Sequence, residues 1–356
     1  MLDGRIALDL SLSWIAERRQ PVDPRLFALL EAIHDTGKLT DATAKLGIPY
    51  RQAWGLIAKW SEIIGHPLVV KQKGRGTHLT PFGDRLLSLK EQINARLMPH
   101  LERAMLEVEQ QIGGILGGQE PALSIHAGRD LALAAVRDYL RTHPGPKLDV
   151  RFINSPDSVK SLSMARCDVA GFHVPDGALG AGIVALCRPW LKPRSHRLIH
   201  FVRRRQGLIV AAGNPKRIRT LADIADTRAR FINRQRGSGT RLAVEQLLKQ
   251  QGIREASIAG FDSEEETHVA IAAAVAGGTA DVGIGIEAAA RRLRLEFIPL
   301  FSEAYSLLVR KETLMQDGLQ ALLAFLQNDV FRQLIAAIPG YDGSGAGTMR
   351  TIDALL

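Results

Sequence analysis

Three short loops carry residue types that bind anions. Residues 127–130 (AGRD), 154–156 (NSP) and 236–241 (RGSGTR) each follow a predicted β-strand and begin a predicted helix. Helix N-termini present free backbone N–H donors and a partial positive charge, so three that converge would hold a small anion. Ser155 is expected to be the N-cap of its helix, and Ser238 adds a hydroxyl donor. The same turns would also serve as ordinary helix N-caps without a ligand.

The surroundings of these loops disfavour other chemistry. No Gly-Lys-Ser/Thr ends the 236–241 loop, so it is not a Walker A loop. Ser238 lacks the Gly-x-Ser-x-Gly elbow of an acyl-transfer nucleophile. The widely separated His126, His173 and His268 fit interior or cleft histidines better than metal ligands. With no paired carboxylates and no nucleophile–base set, we expect no catalytic residue, no metal and no cofactor.

A second set of candidate residues lies on a predicted helix pair at residues 39–65. Thr40 is the expected N-cap of the first helix, and Gly47-Ile48-Pro49 forms the turn. Apolar residues of the second helix share one face, namely Ala53, Ile57, Trp60 and Ile64. A different face carries Arg51, Gly55 and Lys59, with Gln52 beside them. Such a pair forms a helix-turn-helix whose second helix enters the major groove; the alternative is an ordinary helical hairpin.

Residues 66–83 predict a hairpin followed by a new helix. The run 68–70 is rich in β-branched residues, and Gly74 and Gly76 allow a turn. Cations crowd that turn, as they would in a wing that lies against phosphates, although a solvated surface hairpin is the alternative. In the DNA-binding interpretation Arg51 and Gln52 contact base edges. The other expected DNA contacts, mostly to phosphates, are Thr40, Tyr50, Lys59, Lys71, Lys73 and Arg75.

A long apolar stripe follows the hairpin. Between residues 84 and 112 apolar residues recur every three or four positions, which predicts one helix with a partner helix in a homodimer or homotetramer. The alternative is a helix that packs along its own C-terminal domain. Pro99 predicts a kink or break, and the glycine-rich residues 113–118 predict a hinge.

Strand and helix signals alternate from residue 121 onward, which predicts an α/β sheet with crossover helices. The segments 196–202 and 207–213 are predicted as two separate strands. Two segments, 164–171 and 278–285, both contain Asp-Val at the start of a predicted strand, and this echo suggests two similar lobes. We expect lobe 1 at about 119–205 and 301–356, and lobe 2 at about 206–300.

The bulk properties fit a globular protein with a polyanionic partner. The chain has 356 residues, room for two or three domains, and a formal charge of +9, which suits a polyanionic partner. Its two cysteines give no disulfide framework, no signal peptide is evident, and no apolar run is long enough to span a membrane. We therefore expect a cytoplasmic protein.

Residues 24–87 resemble the winged helix-turn-helix of LysR-type and, more closely, ModE-type (molybdate-responsive) regulators. The residues that carry the resemblance are 50–54 (YRQAW), the Gly-Arg-Gly wing and 79–83 (LTPFG). Residues 121–340 resemble a two-lobed periplasmic-binding-protein-like domain of type II, through 167–173 (CDVAGFH), 237–241 (GSGTR) and 280–285 (ADVGIG). The resemblance implies a mainly α DNA-binding domain at 1–83, a linker and dimerisation helix with hinge at 84–118, and an effector domain at 119–356.

The resemblance also implies that neutral hydroxyls and backbone amides hold an oxyanion such as molybdate or tungstate. Carried over to this chain, the strongest ligand-binding candidates are Ser155, Ser238, Gly239 and Thr240, followed by Gly128, Arg129, Thr267 and Tyr305. Arg129 stands where the family has small hydroxyl residues, and it would favour a small carboxylate, such as formate, or a larger anion.

The leading hypothesis is a transcriptional regulator that binds double-stranded DNA and senses a small anion. A second hypothesis is an enzyme or molybdopterin-related biosynthetic factor acting on an anionic metabolite. A third is a DNA-binding protein whose C-terminal domain serves only oligomerisation.

Overall fold

The computed structural model describes residues 11–15, 19–72, 76–116 and 122–354. Contacts within the chain divide it into two compact units, one that ends at Met105 and one that begins at Leu106.

The N-terminal unit combines helices with two short antiparallel hairpins. Its elements are β1 (Ser13–Ile15), β2 (Arg19–Pro21), α1 (Pro24–Thr36), α2 (Leu39–Leu46), α3 (Tyr50–Ile64), β3 (Val69–Gln72), β4 (Gly76–Leu79) and the start of α4 (Pro81–Leu116). Ala53, Ile57 and Trp60 of α3 are buried against α1 and α2 residues, while Ile64 is only partly buried. The predicted helix pair and hairpin are therefore present, and the predicted apolar face of α3 points into the core.

The turn between α2 and α3 forms as predicted, but the start of α2 does not. Gly47 ends α2 in the left-handed conformation (φ 64°), and Pro49 is the N-cap of α3. Thr40 is not the N-cap of α2, because the helix begins one residue earlier, at Leu39. Leu39 is 2% exposed, so the earlier start places an apolar side chain in the core. Thr40 lies within the helix and stays exposed.

The segment LTPFG joins the hairpin to α4 through close backbone contacts. The Thr80 hydroxyl donates a 2.6 Å hydrogen bond to the Pro67 carbonyl, and the Gly83 N–H donates to the Thr80 oxygen at 3.0 Å. A Cβ added at Gly83 would lie 2.1 Å from the Leu68 carbonyl oxygen, so a side chain does not fit there. The motif therefore fixes the start of α4 against β3.

Helix α4 carries an exposed apolar stripe. Leu89, Ile93 and Leu97 are each about 40% exposed (40%, 39% and 42%). The helix runs without interruption through position 99, so the break predicted there is absent. The hinge predicted at 113–118 is also wrong for residues 113–116, which are helical; 117 and 118 lie outside the described residues. Extending a formed helix avoids the cost of nucleation, which offsets the low helix propensity of glycine.

The second unit is built on one mixed sheet. Its strands are β5 (Leu123–Ala127), β6 (Leu148–Phe152), β7 (Val169–Pro175), β8 (His196–Val210), β9 (Phe231–Arg234), β10 (Glu264–Glu265), β11 (Val282–Ile286), β12 (Glu296–Arg310), β13 (Tyr341–Asp342) and β14 (Met349–Arg350). Eight strands follow the order β10-β9-β11-β8-β12-β7-β5-β6, and β13 and β14 pair with β8. The helices are α5 (Leu131–Leu140), α6 (Ser155–Ser163), α7 (Ala181–Cys187), α8 (Leu221–Asp226), α9 (Gly239–Gln250), α10 (His268–Ala276), α11 (Glu287–Arg292), α12 (Asp317–Leu326) and α13 (Asp329–Ala336).

Strands β8 and β12 run through two separate hydrophobic cores. Ile199 and Val202 of β8 pack in one core, and Leu208 and Val210 pack in another. The two strands predicted at 196–202 and 207–213 are therefore a single strand of 15 residues. The polar run between them resembles a loop in the sequence, but here it crosses from one lobe to the other.

The Asp-Val echo corresponds to equivalent hydrogen bonds in the two lobes. Asp168 precedes β7 and accepts a hydrogen bond from the Ser124 N–H, which lies at the start of the parallel neighbour β5 (3.0 Å). Asp281 precedes β11 and accepts from the Arg230 N–H beside the parallel neighbour β9 (2.8 Å). In each lobe one carboxylate therefore ties together the starts of two parallel strands.

Candidate functional site

One face of α3 is polar, basic and exposed. Arg51, Gln52 and Lys59 are all exposed, whereas the opposite side of the helix is packed in the core. Tyr50 and Trp54, one helical turn apart, are 43% and 39% exposed. Trp54 was not among the predicted contacts, although its spacing from Tyr50 places the two aromatic rings on neighbouring turns. The face thus presents guanidinium, amide, ammonium and aromatic groups together.

The hairpin beside this face is described only in part. Lys71 is exposed at the end of β3. Lys73 and Arg75 were also predicted to contact DNA, and both lie outside the described residues. The described strands β3 and β4 pair in antiparallel fashion, as the predicted hairpin requires.

The loop at 154–156 differs from its prediction by one residue. Asn154, not Ser155, is the N-cap of α6, and its side chain accepts a hydrogen bond from the Asp157 N–H at 2.9 Å. Ser155 is the first helical residue, and its hydroxyl oxygen lies 3.4 Å from the backbone N–H of His173. Asparagine and serine are comparable N-caps, which is why the sequence alone did not distinguish them.

Two other candidate hydroxyls cap helices. The Ser238 hydroxyl accepts from the Arg241 N–H at 3.2 Å, and the Thr267 hydroxyl accepts from the Ala270 N–H at 3.0 Å. Thr240 is 4% exposed, within the first turn of α9. These hydroxyl oxygens already act as acceptors, so a ligand would find only their hydrogen atoms available.

The N-terminus of α5 already holds an anion that belongs to the chain. The Asp130 Oδ1 atom accepts hydrogen bonds from the N–H groups of Ala132 and Leu133. Its Oδ2 atom accepts from Arg204 Nη1 at 2.8 Å and from the Tyr341 hydroxyl at 2.9 Å. A buried carboxylate therefore takes the place at which the sequence predicted part of a ligand cradle.

Arg204 is the centre of this buried polar cluster. Besides Asp130, it forms an ion pair with Glu303 on the adjacent strand β12, and its Nη2 atom lies 3.5 Å from His268 Nε2 at the start of α10. Gln206 donates a 2.7 Å hydrogen bond to the same Glu303 carboxylate. Arg204 therefore connects α5 of one lobe with α10 of the other through the crossing strand.

The protonation states follow from burial and from these neighbours. Burial alone would raise the pKa of Asp130, but the hydrogen bond from His173 and the charge of Arg204 lower it to about 2. Burial lowers the pKa of His173, and the charge of Arg204 lowers it further. The pKa of His268 lies well below its usual value because of burial and the charges of Arg234 and Arg204. Both histidines are therefore neutral near pH 7.

Three predicted loops meet around His173. A Cβ added at Gly128 would lie 3.2 Å from both His173 Nδ1 and the Ser155 hydroxyl oxygen, and one added at Gly239 would lie 3.9 Å from the His173 carbonyl. The Tyr305 ring stacks on the His173 ring with centroids 4.0 Å apart. Tyr305 has no exposed surface, so it supports His173 from the core rather than facing an open cleft.

Buried charged residues are the part of this site that was not predicted from the sequence. Asp130, Arg204 and Glu303 were not among the predicted site residues, yet all three are nearly inaccessible to solvent. Charged groups are rarely buried unless they are paired, so Arg204 and Glu303 within long apolar strands were the available signal. Arg129, a predicted candidate, places its guanidinium 4.9 Å from the Phe152 ring centroid.

Two of the cavities on this unit have none of the predicted loops in their lining. One of about 320 Å³ lies beside Arg203, Arg205 and Tyr341, and one of about 680 Å³ follows the surface of α9. Among the described residues, no group of three or more His, Cys, Asp or Glu side chains is placed to hold a metal ion. In the same part of the chain, no helix combines the length and apolar character needed to span a bilayer.

Two lobes joined by paired crossing strands, with helix N-termini meeting between them, define a ligand-binding domain of the periplasmic-binding-protein class. The chain belongs to this family: the model of the PBP superfamily domain matches residues 136–327.

Relatives extend the likeness to nearly the whole chain. The chain is 28% identical over 216 residues to the uncharacterized protein YvgK of Bacillus subtilis (strain 168), covering 61% of this chain and 70% of that protein. It is 28% identical over 332 residues to the HTH-type transcriptional regulator CbbR of Xanthobacter flavus, covering 90% of each. It is 34% identical over 92 residues to the transcriptional regulator ModE of Yersinia pestis, covering 25% of this chain and 34% of ModE. The predicted resemblance to LysR-type and ModE-like regulators with a periplasmic-binding-protein-like domain is confirmed.

Proposed function

We propose that this chain is a DNA-binding transcriptional regulator whose C-terminal clamshell binds a small anion and thereby alters operator binding. The observation that carries the proposal is the exposed face of α3. Arg51 and Gln52 are exposed on one side of α3, and the opposite side of this helix packs in the core. Base readout from the major groove requires such an exposed helix face. The likeness to proteins named as regulators supports the same conclusion and gives no support to an enzyme.

The DNA contacts divide by chemistry. Arg51 and Gln52 read base edges, because guanidinium and amide groups form paired hydrogen bonds with purines. Phosphates are held by the cations and hydroxyls around them: Thr40, Tyr50, Lys59, Lys71, Lys73 and Arg75. Binding to DNA places the protein in the cytoplasm.

The anion binds between the lobes, where 127–130, 154–156 and 236–241 meet. Gly128, Arg129 and Ser155 contribute from one lobe, while Gly239 and the hydroxyls of Ser238, Thr240 and Thr267 contribute from the other, and Tyr305 supports the floor. Candidate effectors are molybdate, tungstate and a small carboxylate such as formate. Because the ligand touches both lobes, it favours the closed form and shifts the population toward it.

The apolar stripe of α4 forms a subunit interface. Leu89, Ile93 and Leu97 expose about two-fifths of their surface each, on one side of the helix. A second copy of the chain would bury this stripe and place two α3 helices on one DNA duplex.

The test uses the full-length protein and an operator selected from random duplexes. Arg51→Ala is expected to weaken specific binding by about 1–3 kcal/mol and to leave binding to random DNA nearly unchanged. Arg332→Ala, an exposed arginine on α13, is the matched control and should behave as wild type. Unchanged operator selectivity in Arg51→Ala would refute the assignment of α3.

Anion sensing is tested separately, by measuring operator affinity with and without molybdate, tungstate and formate. The expected result is a change in affinity with one of them and none with chloride at equal ionic strength. A C-terminal unit that serves only oligomerisation would give no change with any of them.

A further inference from the structure

The arginines of the segment 234–241 differ in how their charges are compensated. Arg236 pairs with Asp262 at 3.0 Å and with Glu264 at 3.4 Å. Arg241 pairs with Glu245 at 2.8 Å and lies over the Phe261 ring. Both guanidinium groups therefore have carboxylate partners.

Arg234 has no such partner in the part of the chain that the structure describes. Its Nη1 atom donates one long bond of 3.4 Å to the Glu265 carbonyl, and its Nε atom is buried without any hydrogen-bond partner. A buried donor without an acceptor costs free energy, and more so in a charged group. The charge of Arg234 is thus only partly compensated inside the unit, and an anion beside it would remove this free-energy cost.

The neighbouring charges also indicate that the charge of Arg234 is not fully compensated. Burial, together with the positive charges of Arg204 and Arg129, lowers the pKa of Arg234 to about 10, although Glu303 and Glu266 act in the opposite direction. The carboxylates nearby do not fully offset burial. Glu303 is already paired with Arg204.

Arg234 is also in the right place for a ligand. It is the last residue of β9, and ligands of α/β sheets bind beyond the carboxyl ends of strands. The helix N-termini nearby are largely committed: Asp130 caps α5, Ser238 caps α9 and Thr267 caps α10. Of the three arginines in the segment 234–241, Arg234 is the one whose guanidinium has no carboxylate partner among the described residues.

Resting on the proposed anion-sensing function, we infer that Arg234 binds the anionic group of the effector and that the effector is a small carboxylate. A guanidinium is a planar fork of donors that matches the two oxygens of a carboxylate. The hydroxyl oxygens of Ser238 and Thr267 already accept hydrogen bonds as helix caps, so each can offer an anion only its single O–H donor, whereas Arg234 offers several donors in one plane.

The experiment is a thermal-shift titration of the full-length protein with sodium formate, acetate and glycolate, and with molybdate, tungstate and sulfate, at matched ionic strength. Ligand that binds the folded state raises Tm. At least one carboxylate is expected to raise the Tm of wild type. Arg234→Gln should lower the affinity for that carboxylate about thirtyfold or more. The affinity of Arg234→Lys should lie between those of wild type and Arg234→Gln. Arg332→Gln, at an exposed and ion-paired arginine on α13 outside the predicted loops, is the control and should respond as wild type.

The ligand-free melting temperature separates a binding role from a structural one. Arg234→Gln removes an uncompensated buried charge, so without ligand it should melt at the wild-type temperature or above. A fall of several degrees would make Arg234 a structural residue and overturn the inference. An equal carboxylate response in wild type and Arg234→Gln would also overturn it, while anion sensing would stand. A response to tetrahedral oxyanions alone would overturn the carboxylate assignment. No response of wild type to any anion would overturn both the inference and the proposed sensing function.

Discussion

Asp130 and Arg204 form a buried ion pair of 2.8 Å between the N-terminus of α5 and the crossing strand β8. The side chain of Asp130 has no exposed surface, and that of Arg204 is 4% exposed. Removing one member of such a pair leaves the other charge buried with fewer partners, which is far more costly than losing a surface pair. Asp130→Asn is therefore expected to destabilise the C-terminal unit by roughly 3–5 kcal/mol in urea unfolding at pH 7. A loss below about 1 kcal/mol would contradict the assignment.

The same pair predicts a component of acid sensitivity. The folded pKa of Asp130 is about 2, below its ordinary value of 3.8, so its stabilising contribution is complete above about pH 4. That contribution, about 2 kcal/mol, is lost as pH falls toward 2. Urea unfolding across this range should show a steeper loss in wild type than in Asp130→Asn. Parallel pH profiles would show that the carboxylate is not ionised preferentially in the folded state.

Alanine substitutions at two glycines of the N-terminal unit should change its stability in opposite directions. Gly83→Ala forces a Cβ against the Leu68 carbonyl and should cost about 1–3 kcal/mol, with loss of DNA binding when the start of α4 shifts. Gly55 lies on the exposed face of α3 with nothing within 4 Å of an added Cβ. Gly55→Ala should therefore stabilise the helix by about 0.5–1 kcal/mol. Thermal unfolding monitored by circular dichroism compares the two.

The stripe of α4 predicts the oligomeric state. Ile93→Glu places a charge in the middle of the proposed interface and should convert the oligomer into a smaller species in sedimentation velocity experiments. Met315→Glu makes the same kind of change at a residue that is 85% exposed on the other unit, and it should leave the oligomer intact. An unchanged sedimentation coefficient for Ile93→Glu would place the interface elsewhere.

Asp168 and Asp281, the equivalent aspartates at the strand starts of the two lobes, should contribute differently to the free energy of unfolding. Asp281 accepts from the Arg230 backbone and also pairs with Lys216, whereas Asp168 holds the Ser124 backbone with only a distant arginine. Asp281→Ala leaves more donors unsatisfied, so it should cost about 1–3 kcal/mol and exceed the loss in Asp168→Ala. Chemical unfolding measures both losses of unfolding free energy. Equal losses would mean that only the hydrogen bond from a backbone N–H, which both aspartates accept, contributes.

The sequence was most informative where local signals decide the structure. Glycine and proline set the turn before α3, and apolar spacing gave the buried face of that helix, so the helix pair and hairpin were predictable. The start of α2 was not, because burial of Leu39 overrides the preference of Thr40 for the N-cap. Tertiary packing decides such cases, and single-sequence patterns do not contain it.

The site was predictable only as a set of loops. The alternating pattern indicated that the loops of Gly128, Ser155 and Gly239 each follow a strand, but not the strand order that brings them together. The pairing of Asp130 with Arg204 joins residues 74 positions apart, and nothing local marks it. The charged run 203–206 separates the two predicted apolar strands, yet it continues a single strand, because Arg204 is paired with Asp130 and Glu303.

The crossing strands constrain how the two lobes can move. β8 and β12 stay paired from one lobe into the other, and their regular pairing is interrupted between Pro299 and Phe301, opposite Gly207. A Cβ added at Gly207 would lie 2.1 Å from the Ile298 carbonyl oxygen, so the two backbones are in close contact there. These paired strands tie the two lobes together, so the proposed closure on an effector would require a change in strand twist where their pairing is irregular.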